Sequence, residues 1–481
     1  MSLLQHELPY HHDSALLFEP LAHLQWAMLL DSGQALDAST GLAGSQYGRY
    51  DILVAEPFIT VVTRDKRTTI TQNGHSNFSD NDPFTLLKTL LNQYKAPKTD
   101  YPFAGGALGY FAYDLARSIE KLADIATPAA DTPEMMIGLY DWAVVVDHRQ
   151  KKCNLVSHGL TDATKTNWQA LCARFDAMAS SATKTTSDHP FKVRSNIQSN
   201  LSKTEYIQAF DKIKAYIAAG DSYQVNLAQR FAATVQGNVW LAYKKLREIS
   251  PAPFMACMNL PLNDSENFQV ISNSPERFLQ TDGHHVETRP IKGTRPRSLD
   301  ATQDQAYAQE LQNSLKDKAE NVMIVDLLRN DIGKNCSVGS VKADQLFQLQ
   351  SFANVHHLVS IVTGKLKQTA TAVDLLKGCF PGGSITGAPK LRAMQIIEEL
   401  EPHKRGLYCG AIGYIGFDGK MDTNIAIRTA VVCQNEISFY AGGGIVADSI
   451  AEKEYKETLD KASNLNSMLE HFLDTSAEIN P

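Results

Sequence analysis

The sequence lacks the features that mark secreted, membrane-spanning or nucleic-acid-binding proteins. Its seven cysteines are scattered and never form a Cys-x-x-Cys pair, which argues against a disulfide framework and against a zinc site. No window approaches the roughly 18 apolar residues of a membrane span, and residues 1–9 do not have the pattern of a signal peptide. The formal net charge is -7, so no overall basic field attracts nucleic acid or an anionic membrane. We therefore expect a cytoplasmic protein with no nucleic-acid or membrane partner.

The composition that remains is that of a globular protein of mixed structure. Hydrophobic residues make up 43% of the 481 residues, which is enough apolar material for a large core. Apolar alternation predicts strands at residues 26–30, 51–54, 58–62, 142–146, 268–271, 411–417, 425–432 and 437–440. Helical periodicity predicts helices at residues 83–94, 203–219, 319–329 and 373–376. Because several strands follow one another through short turns, the pattern favours an α+β fold with antiparallel sheet.

One change in composition divides the chain. Residues 179–200 are rich in Ser, Thr and Lys and poor in large apolar residues, which is typical of a linker or an exposed loop. We therefore predict an N-terminal region at residues 10–175, a linker or exposed loop at residues 176–200 and a second region at residues 201–468.

The strongest local signal is a lysine among arginines, in Arg289-Pro-Ile-Lys-Gly-Thr-Arg-Pro-Arg297. Nearby like charges disfavour protonation and burial would add to this, so Lys292 is a candidate nucleophile near neutral pH. A solvated basic loop is the alternative, and composition alone favours it.

A second signal is Glu276, in Ser274-Pro-Glu-Arg-Phe278. Glu276 could act as a general acid if burial raises its pKa. A surface ion pair between Glu276 and the neighbouring arginine is the commoner arrangement.

Acidic residues on two predicted helices form a third signal. Asp317 and Glu320 share one helix face, and Glu454, Glu457 and Lys461 share a face of the last helix. Two facing carboxylate pairs would suit Mg²⁺, which keeps several waters and binds anionic ligands. Taken singly, each helix is more simply explained as a solvated charged face.

Two glycine-rich segments, residues 381–390 and 442–444, could bring backbone N–H groups close to an anion. Neither has the spacing of a Walker or dinucleotide-binding motif. Tight turns are the alternative for each segment.

Taken together, these motifs resemble those of the chorismate-utilising enzymes, a family that includes anthranilate synthase component I, aminodeoxychorismate synthase component I, isochorismate synthase and salicylate synthase. The resemblance extends into the first half, through Leu29-Leu-Asp-Ser32, Arg49-Tyr-Asp51 and residues 105–114. It implies an α/β unit with two large antiparallel sheets packed face to face and helices outside. Residues 201–468 correspond to the chorismate-binding domain, and residues 10–175 to the N-terminal region of the amine-transferring members.

Two positions distinguish the members of the family. Lys292 stands in the motif Pro-Ile-x-Gly-Thr, where lysine is typical of aminodeoxychorismate synthases and alanine of anthranilate synthase and the hydroxylating enzymes. Gln224 stands where water-adding relatives place a lysine base, so ammonia is the expected nucleophile. The resemblance implies amination of chorismate at carbon 4, with ammonia supplied by a separate glutaminase subunit in a heterodimer, since the chain has no recognisable glutaminase domain.

The resemblance also implies a role for individual residues. Lys292 is the expected nucleophile and Glu276 the expected general acid. Mg²⁺ is the expected cofactor, with Glu320 and Glu457 as ligands and Asp317 and Glu454 acting through water. The expected substrate-binding residues are Tyr408, Arg428, His357, Gly444, Lys461, Ser384 and Gln224. A bound tryptophan-like ligand is expected at Ser32, Tyr47, Gly48, Arg49, Tyr50, Pro253, Phe254 and Met255.

Two alternatives remain. Anthranilate synthase component I is the nearer one, and Lys292 argues against it. A non-catalytic, tryptophan-binding homologue belongs to another class, and the presence of Lys292, Glu276, Glu320 and Glu457 argues against it.

Overall fold

The computed structural model describes residues 3–33, 48–180, 189–263, 266–351 and 355–473. The helices within these ranges are α1 (Ala15–Phe18), α2 (Pro83–Gln93), α3 (Asp162–Ser180), α4 (Lys203–Ala218), α5 (Val239–Ile249), α6 (Ala301–Asn313), α7 (Leu315–Gly333), α8 (Ala372–Cys379), α9 (Lys390–Leu400) and α10 (Ala451–His471). Among the helices described, none is both long and apolar enough to cross a membrane.

The strands of the same ranges are numbered in chain order. They are β1 (Leu4–Leu8), β2 (Ala27–Asp31), β3 (Tyr50–Val54), β4 (Ile59–Arg64), β5 (Arg67–Gln72), β6 (His75–Ser79), β7 (Gly106–Phe111), β8 (Met135–Tyr140), β9 (Trp142–Asp147), β10 (Lys152–Ser157), β11 (Lys192–Val193), β12 (Gln198–Ser199), β13 (Gln224–Gln236), β14 (Phe254–Pro261), β15 (Asn267–Ser274), β16 (Arg277–Thr281), β17 (His285–Thr288), β18 (Ile291–Pro296), β19 (Lys342–Ser351), β20 (Val355–Lys365), β21 (Gly387–Ala388), β22 (Ala411–Gly416), β23 (Met421–Ile425), β24 (Thr429–Cys433) and β25 (Glu436–Ile445).

These strands form two large sheets. The first has the order β1-β10-β9-β3-β2-β14-β15-β24-β25-β13-β11, with β12 and β21 also paired to β13. The second has the order β18-β20-β17-β16-β23-β22-β7-β8-β4-β5-β6, with β19 paired to β20. Each strand pair described in the two sheets is antiparallel. The predicted fold of two antiparallel sheets is therefore confirmed, and strands from both halves of the chain enter each sheet.

The two sheets pack face to face around an apolar layer. Met28 and Ile52 of the first sheet share a buried cluster with Tyr110, Met136 and Ile412 of the second. Burial of each such side chain contributes about 1.5–3 kcal/mol relative to an exposed one. Strands β7 and β8 are buried along their whole length, because one face meets the other sheet and the opposite face meets helices.

The helices cover the outer faces of both sheets. Trp240 of α5 and Met468 of α10 pack on the first sheet, and Phe84 of α2 and Leu375 of α8 pack on the second. Local sequence fixes where helices begin: at the start of α4 the Ser202 hydroxyl accepts from an N–H of the first turn, and a carboxylate three residues later accepts from the Ser202 N–H.

The structure corrects one predicted strand. Residues 425–432 were expected to form one strand, but β23 ends at Ile425 in the second sheet and β24 begins at Thr429 in the first. The chain crosses between the sheets at this break, and Arg428 there adopts a positive φ of 50°. An uninterrupted strand could not belong to two sheets, so the apolar alternation predicted too long an element.

The stretch predicted as a linker has structure at both ends. Residues up to Ser180 continue α3. Phe191 and Val193 are buried in the core beside β13. The boundaries at residues 10–175 and 201–468 stay a prediction.

Candidate active site

Two neighbouring segments pass from one sheet to the other at the same place. The chain leaves the first sheet after β15 and joins the second with β16, and Glu276 lies at this crossing. It returns after β23 and joins the first sheet with β24, and Arg428 lies at that crossing. The Ile425 N–H donates to the Glu276 carbonyl over 3.0 Å, and the Ser274 hydroxyl donates to the Ile425 carbonyl over 2.6 Å. The two crossings are thus tied together by hydrogen bonds.

Glu276 has the surroundings of a carboxyl group that keeps its proton near neutral pH. It is 7% exposed, and the Ser384 hydroxyl donates to its Oε1 over 3.0 Å. Burial raises the pKa of Glu276 from 4.5 to about 7, although the Lys292 charge, the Ser384 hydrogen bond and the Lys461 charge lower it. A carboxyl group with a pKa near the working pH donates a proton efficiently, so the geometry suits a general acid.

Lys292 lies on β18 and interacts with charged groups from α7, α10 and the Glu276 crossing. Burial lowers the pKa of Lys292 from its usual 10.5, and the positive charge of Lys461 lowers it further. Glu320, Glu276 and Glu457 oppose this shift without reversing it. The lowered pKa increases the fraction of neutral amine, which is the nucleophilic form of a lysine.

The arginines that flank Lys292 are not the cause of this shift, contrary to the sequence-based expectation. Each pairs with a carboxylate: Arg289 with Glu287, Arg295 with Glu310 and Arg297 with Asp304. A paired guanidinium exerts little net field on a neighbour, because the carboxylate offsets its charge. The cation that lowers the pKa is Lys461, which lies far away in the sequence.

Carboxylates of α7 and α10 come together beside Lys292. Burial raises the pKa of Glu320, and the negative charges of Asp317 and Glu457 raise it further. The pKa of Glu454 is also raised by burial and by the charge of Glu457. Glu457 behaves differently: burial favours its neutral form, but Lys461, 2.7 Å from its Oε1, holds its pKa below the usual value. The carboxylates of α7 and α10 are therefore close enough for the charge of one to shift the pKa of another.

The carboxylates of α7 and α10 are the residues expected to hold Mg²⁺. Within the described ranges, no group of three or more His, Cys, Asp and Glu side chains could hold a metal by itself. Burial is the main cause of the raised pKa values of Glu320 and Glu454, the charge of Glu457 raises both further, and a cation nearby would oppose both effects. A Cβ on Gly443 would lie 3.1 Å from Glu454 Oε2 and 3.4 Å from Glu457 Oε1, so glycine keeps this space open. The set fits Mg²⁺, which keeps several waters and needs only one or two protein carboxylates.

Gln224, at the start of β13, has an unused hydrogen-bond acceptor. The side chain is fully buried, and its Nε2 donates to Asn226 Oδ1 over 3.3 Å. Its Oε1 accepts no hydrogen bond from any residue that the structure describes. A Cβ on Gly444 would lie 2.8 Å from Gln224 Nε2, so a larger residue there would displace the Gln224 amide. A buried acceptor without a donor is costly, which favours a ligand that brings one.

The resemblance places Arg428 and Tyr408 at the pyruvyl carboxylate of the substrate and His357 near its ring. Burial lowers the pKa of Arg428, and within the described part of the chain its guanidinium makes no ion pair within 4.0 Å. Burial and the Arg428 charge lower the pKa of His357 to about 3, so its imidazole is neutral. The buried Tyr408 ring stacks on Tyr440, with ring centres 5.3 Å apart. An uncompensated guanidinium of this kind is suited to a carboxylate ligand.

A separate cavity of about 870 Å³ contains most of the positions expected for the tryptophan-like ligand. Its lining includes Arg49, Tyr50, Pro253, Phe254 and Met255. Two other expected residues, Ser32 and Gly48, do not line it; the Ser32 hydroxyl instead donates to Asp51 Oδ1 over 2.7 Å. Tyr47 lies outside the described residues.

Sequence reasoning missed two residues of this cavity. Arg277 donates to both carboxylate oxygens of Asp422, over 2.9 and 2.8 Å, and its guanidinium lies 5.0 Å from the centre of the Phe254 ring. Arg277 also pairs with Glu287, at 3.3 Å. Its ion pairs are thus with Asp422 and Glu287, and the suggested surface pair with Glu276 is not among them. Arg277 is next to Glu276, and Asp422 begins the segment of residues 422–429 that contains Arg428, so both were close in sequence to residues already expected in a site.

The sequence matches one protein family over most of its length. Residues 41–467 match the family described as chorismate binding enzyme. The chain belongs to this family. Aminodeoxychorismate synthase component 1 from Salmonella typhimurium is 46% identical over 468 residues, which are 96% of this chain and 98% of that protein. The protein of the same name from Escherichia coli K12 is 44% identical over 456 residues, 94% of this chain and 95% of that protein.

Other chorismate-binding enzymes are similar in sequence or in structure. Anthranilate synthase component 1 from Bacillus subtilis is 35% identical, over 88% of this chain and 84% of that protein. The crystal structure of anthranilate synthase component I from Streptococcus pneumoniae has a TM-score of 0.75 at 32% identity, covering 89% of this chain and 94% of that one. The menaquinone-specific isochorismate synthase from Escherichia coli has a TM-score of 0.70 at 18% identity, covering 97% and 94%, and supports the fold alone.

Proposed function

We propose that this chorismate-binding enzyme adds ammonia to carbon 4 of chorismate, giving 4-amino-4-deoxychorismate, a precursor of p-aminobenzoate and so of folate. One observation carries the proposal: half-buried Lys292, with a lowered pKa, and buried Glu276, with a pKa raised to about 7, interact within one site. A neutral amine and a protonated carboxyl group are the nucleophile and the acid that the reaction needs. The similarity to two aminodeoxychorismate synthase components over nearly the whole chain supports it.

The chemistry divides into two displacements. In the first, the Lys292 amine forms a bond to ring carbon 2, the ring double bonds shift, and the bond from carbon 4 to its hydroxyl breaks. Glu276 gives its proton to the departing oxygen, which leaves as water. In the second, ammonia forms a bond to carbon 4, the double bonds shift back, and the bond to Lys292 breaks. The proton that ammonia releases returns to Glu276, so chorismate and ammonia give aminodeoxychorismate and water. Two easier displacements replace one difficult displacement.

Charged residues at two ends of the site would orient chorismate. Arg428 and Tyr408 would bind the pyruvyl carboxylate, with neutral His357 near the ring. At the other end, Mg²⁺ held by Glu320 and Glu457 would offset the charge of the ring carboxylate. Asp317 and Glu454 would act through water, and Lys461 and the backbone of Gly444 would assist. The interaction of Lys461 with both Lys292 and Glu457 supports this arrangement.

Ammonia is the proposed nucleophile, and a separate glutaminase subunit in a heterodimer its proposed source. The free Oε1 of Gln224 can accept an N–H of ammonia, and glutamine cannot act as the base that water would need. The similar proteins are named component 1, which supports a second component. We retain the expectation of a cytoplasmic location, which the free thiols of all seven cysteines support.

A tryptophan-like ligand is the proposed occupant of the large cavity. Phe254 and Tyr50 offer aromatic surface for an indole-like ring. Arg49 and Asp31 line the same cavity but are already paired, with Asp147 and Arg247 respectively. This binding is proposed independently of the catalytic steps.

The test of the proposed function is a covalent adduct on Lys292. Incubation with chorismate and Mg²⁺, but without ammonia, should raise the intact mass by chorismate less water, and peptide mapping should place the addition on Lys292. Lys292→Arg and Lys292→Ala should both lose it, because a guanidinium stays protonated and alanine has no amine. The control Lys245→Ala, at an exposed ion pair on α5, should keep it. An adduct that persists in Lys292→Ala would sink the assignment.

The product distinguishes the two remaining alternatives. Anthranilate synthase releases pyruvate, whereas the proposed product keeps the pyruvyl group, so product mass decides between them. The relatives named anthranilate synthase component 1 keep this alternative open. A non-catalytic homologue would give neither product.

A further inference from the structure

Tyr408 lines a second cavity, of about 100 Å³, which is termed the small cavity. Its lining includes residues 128–134 and the side chains of Asp114 and Lys404. Sites for drug-sized molecules have volumes of roughly 300–1,000 Å³. The small cavity has room for only a few molecules of the size of water. Chorismate does not fit, but ammonia does.

The inner wall of the small cavity touches the catalytic site. Arg405 lines the cavity and donates to the carbonyls of Ile385 and Asn226, over 3.1 Å in each case. Asn226 in turn accepts from the Gln224 side chain, over 3.3 Å. Ile385 directly follows Ser384, the hydrogen-bond donor to Glu276. The Arg405 side chain therefore connects the small cavity to residues next to the proposed ammonia acceptor.

The remaining part of the inner wall is a pair of stacked rings. Tyr408 and Tyr440 lie nearly parallel, at 12°, with centres 5.3 Å apart, and both line the small cavity. The Tyr440 hydroxyl donates to the Lys404 carbonyl over 2.8 Å, which fixes the ring at the outer end. Tyr408, an expected substrate-binding residue, thus belongs both to the small cavity and to the proposed chorismate site.

The polar groups of the small cavity suit a molecule that donates hydrogen bonds. Asp114 and Glu134 line it, and burial raises the pKa of each carboxyl group. Its cations are compensated, since Arg405 pairs with Glu401 at 2.7 Å and Lys404 with Asp124 at 2.7 Å. Carboxyl and backbone carbonyl oxygens in its lining can accept the N–H groups of ammonia, because each oxygen has more than one lone pair.

We propose that the small cavity is the inlet through which ammonia reaches the catalytic site. The inference rests on the proposed amination, and it adds a separate entry route for ammonia. Once chorismate is bonded to Lys292, it fills the path by which it arrived, and the second substrate needs another. Passage beside Tyr408 and Arg405 leads to the Gln224 side of the site.

The test narrows the inlet with a bulky side chain and measures each substrate separately. Ala129 is half-buried and lines the small cavity, so Ala129→Trp should obstruct it, and Ala130→Trp should do so from the next position. Ala123 is exposed in the same loop and does not line it, so Ala123→Trp is the matched control. The probes are ammonium chloride at fixed pH and chorismate with Mg²⁺.

The expected result is a selective loss of access for ammonia. In the two obstructed variants the KM for ammonia should rise about tenfold, which corresponds to about 1.4 kcal/mol. The KM for chorismate and the yield of Lys292 adduct without ammonia should match those of Ala123→Trp.

Each other outcome contradicts a specific statement. An unchanged KM for ammonia in both variants, with the adduct still formed, would overturn the inlet and leave the proposed function intact. Loss of the adduct in both would also overturn it, since an inlet for ammonia does not act on chorismate. Absence of adduct and aminated product with the unsubstituted protein would instead refute the proposed function.

Discussion

The burial of Glu276 should be measurable as a pH-dependent cost in stability. A carboxyl group whose pKa is higher in the folded protein binds its proton more tightly there than in the unfolded chain. Below about pH 4.5 the group is protonated in both states and imposes no cost. Above about pH 7 it is ionised in both states, and the folded protein bears the full cost of a buried charge. Stability contributed by the neutral form is therefore lost as the pH rises from 4.5 to 7.

The magnitude follows from the size of the pKa shift. A rise from 4.5 to about 7 in a carboxyl group that is 7% exposed corresponds to about 3 kcal/mol. Glu276→Gln removes the ionisation and keeps the shape of the side chain. Relative to the unsubstituted protein, the free energy of unfolding of Glu276→Gln should therefore increase by about 3 kcal/mol between pH 4.5 and pH 7, and the difference should stay constant above pH 7.

The assay is urea unfolding of both proteins over this pH range, at one salt concentration. Glu248→Gln is the control, because the Glu248 side chain is 65% exposed and its loss alters the net charge equally. If Glu276→Gln weakens the hydrogen bond to Ser384, the free energy of unfolding falls equally at every pH, so the pH dependence is unchanged. A difference between the two proteins that does not vary with pH would refute the reasoning, since it would mean that Glu276 ionises as readily in the fold as outside it.

Two further predictions concern the metal and the partner. Glu320→Gln and Glu457→Gln should each abolish Mg²⁺-dependent amination, measured as product by mass spectrometry, because each removes an anionic ligand. The control Glu452→Gln, at an exposed position on α10, should keep the activity. Full activity in excess chelator would contradict the metal assignment. The purified chain should use ammonium salt but not glutamine, and an added glutaminase subunit should make glutamine a substrate. Product formed from glutamine by the chain alone would show that no second subunit is needed.

The sequence was a good guide to which residues share a site, but a poor guide to the path by which the chain brings them together. Lys292, Glu320 and Glu457 were expected in one site on motif grounds, and they interact in the structure. The two sheet crossings that place Glu276 and Arg428 were not expected. Apolar alternation reports that alternate residues are buried, but it does not report which sheet buries them, so the exchange of sheets after Ile425 leaves no mark in the pattern.

Electrostatic causes were also hard to predict from neighbours in sequence. The arginines around Lys292 suggested a field that lowers its pKa, yet each is paired with a carboxylate: Arg289 with nearby Glu287, and Arg295 and Arg297 with Glu310 and Asp304 of α6. Lys461 supplies the positive charge instead. Pairing between residues far apart in sequence depends on the packing of helices α6 and α7 against β18, which a motif does not encode.

Burial is what allows Lys292 and Glu276 to be a nucleophile and an acid together. The attraction between their opposite charges favours the ion pair, since each charge opposes the pKa shift of the other. Desolvation is the largest influence on both groups, and it acts in the opposite sense, raising the pKa of the carboxyl group and lowering that of the amine. Within the part of the chain that the structure describes, no ion pair within 4.0 Å joins them. A closer approach would strengthen the attraction and stabilise the charged forms, which are unreactive in the first displacement. The separation of the two groups in a desolvated site is therefore a requirement of the proposed chemistry. Lys461 contributes because its positive charge disfavours protonation of the Lys292 amine.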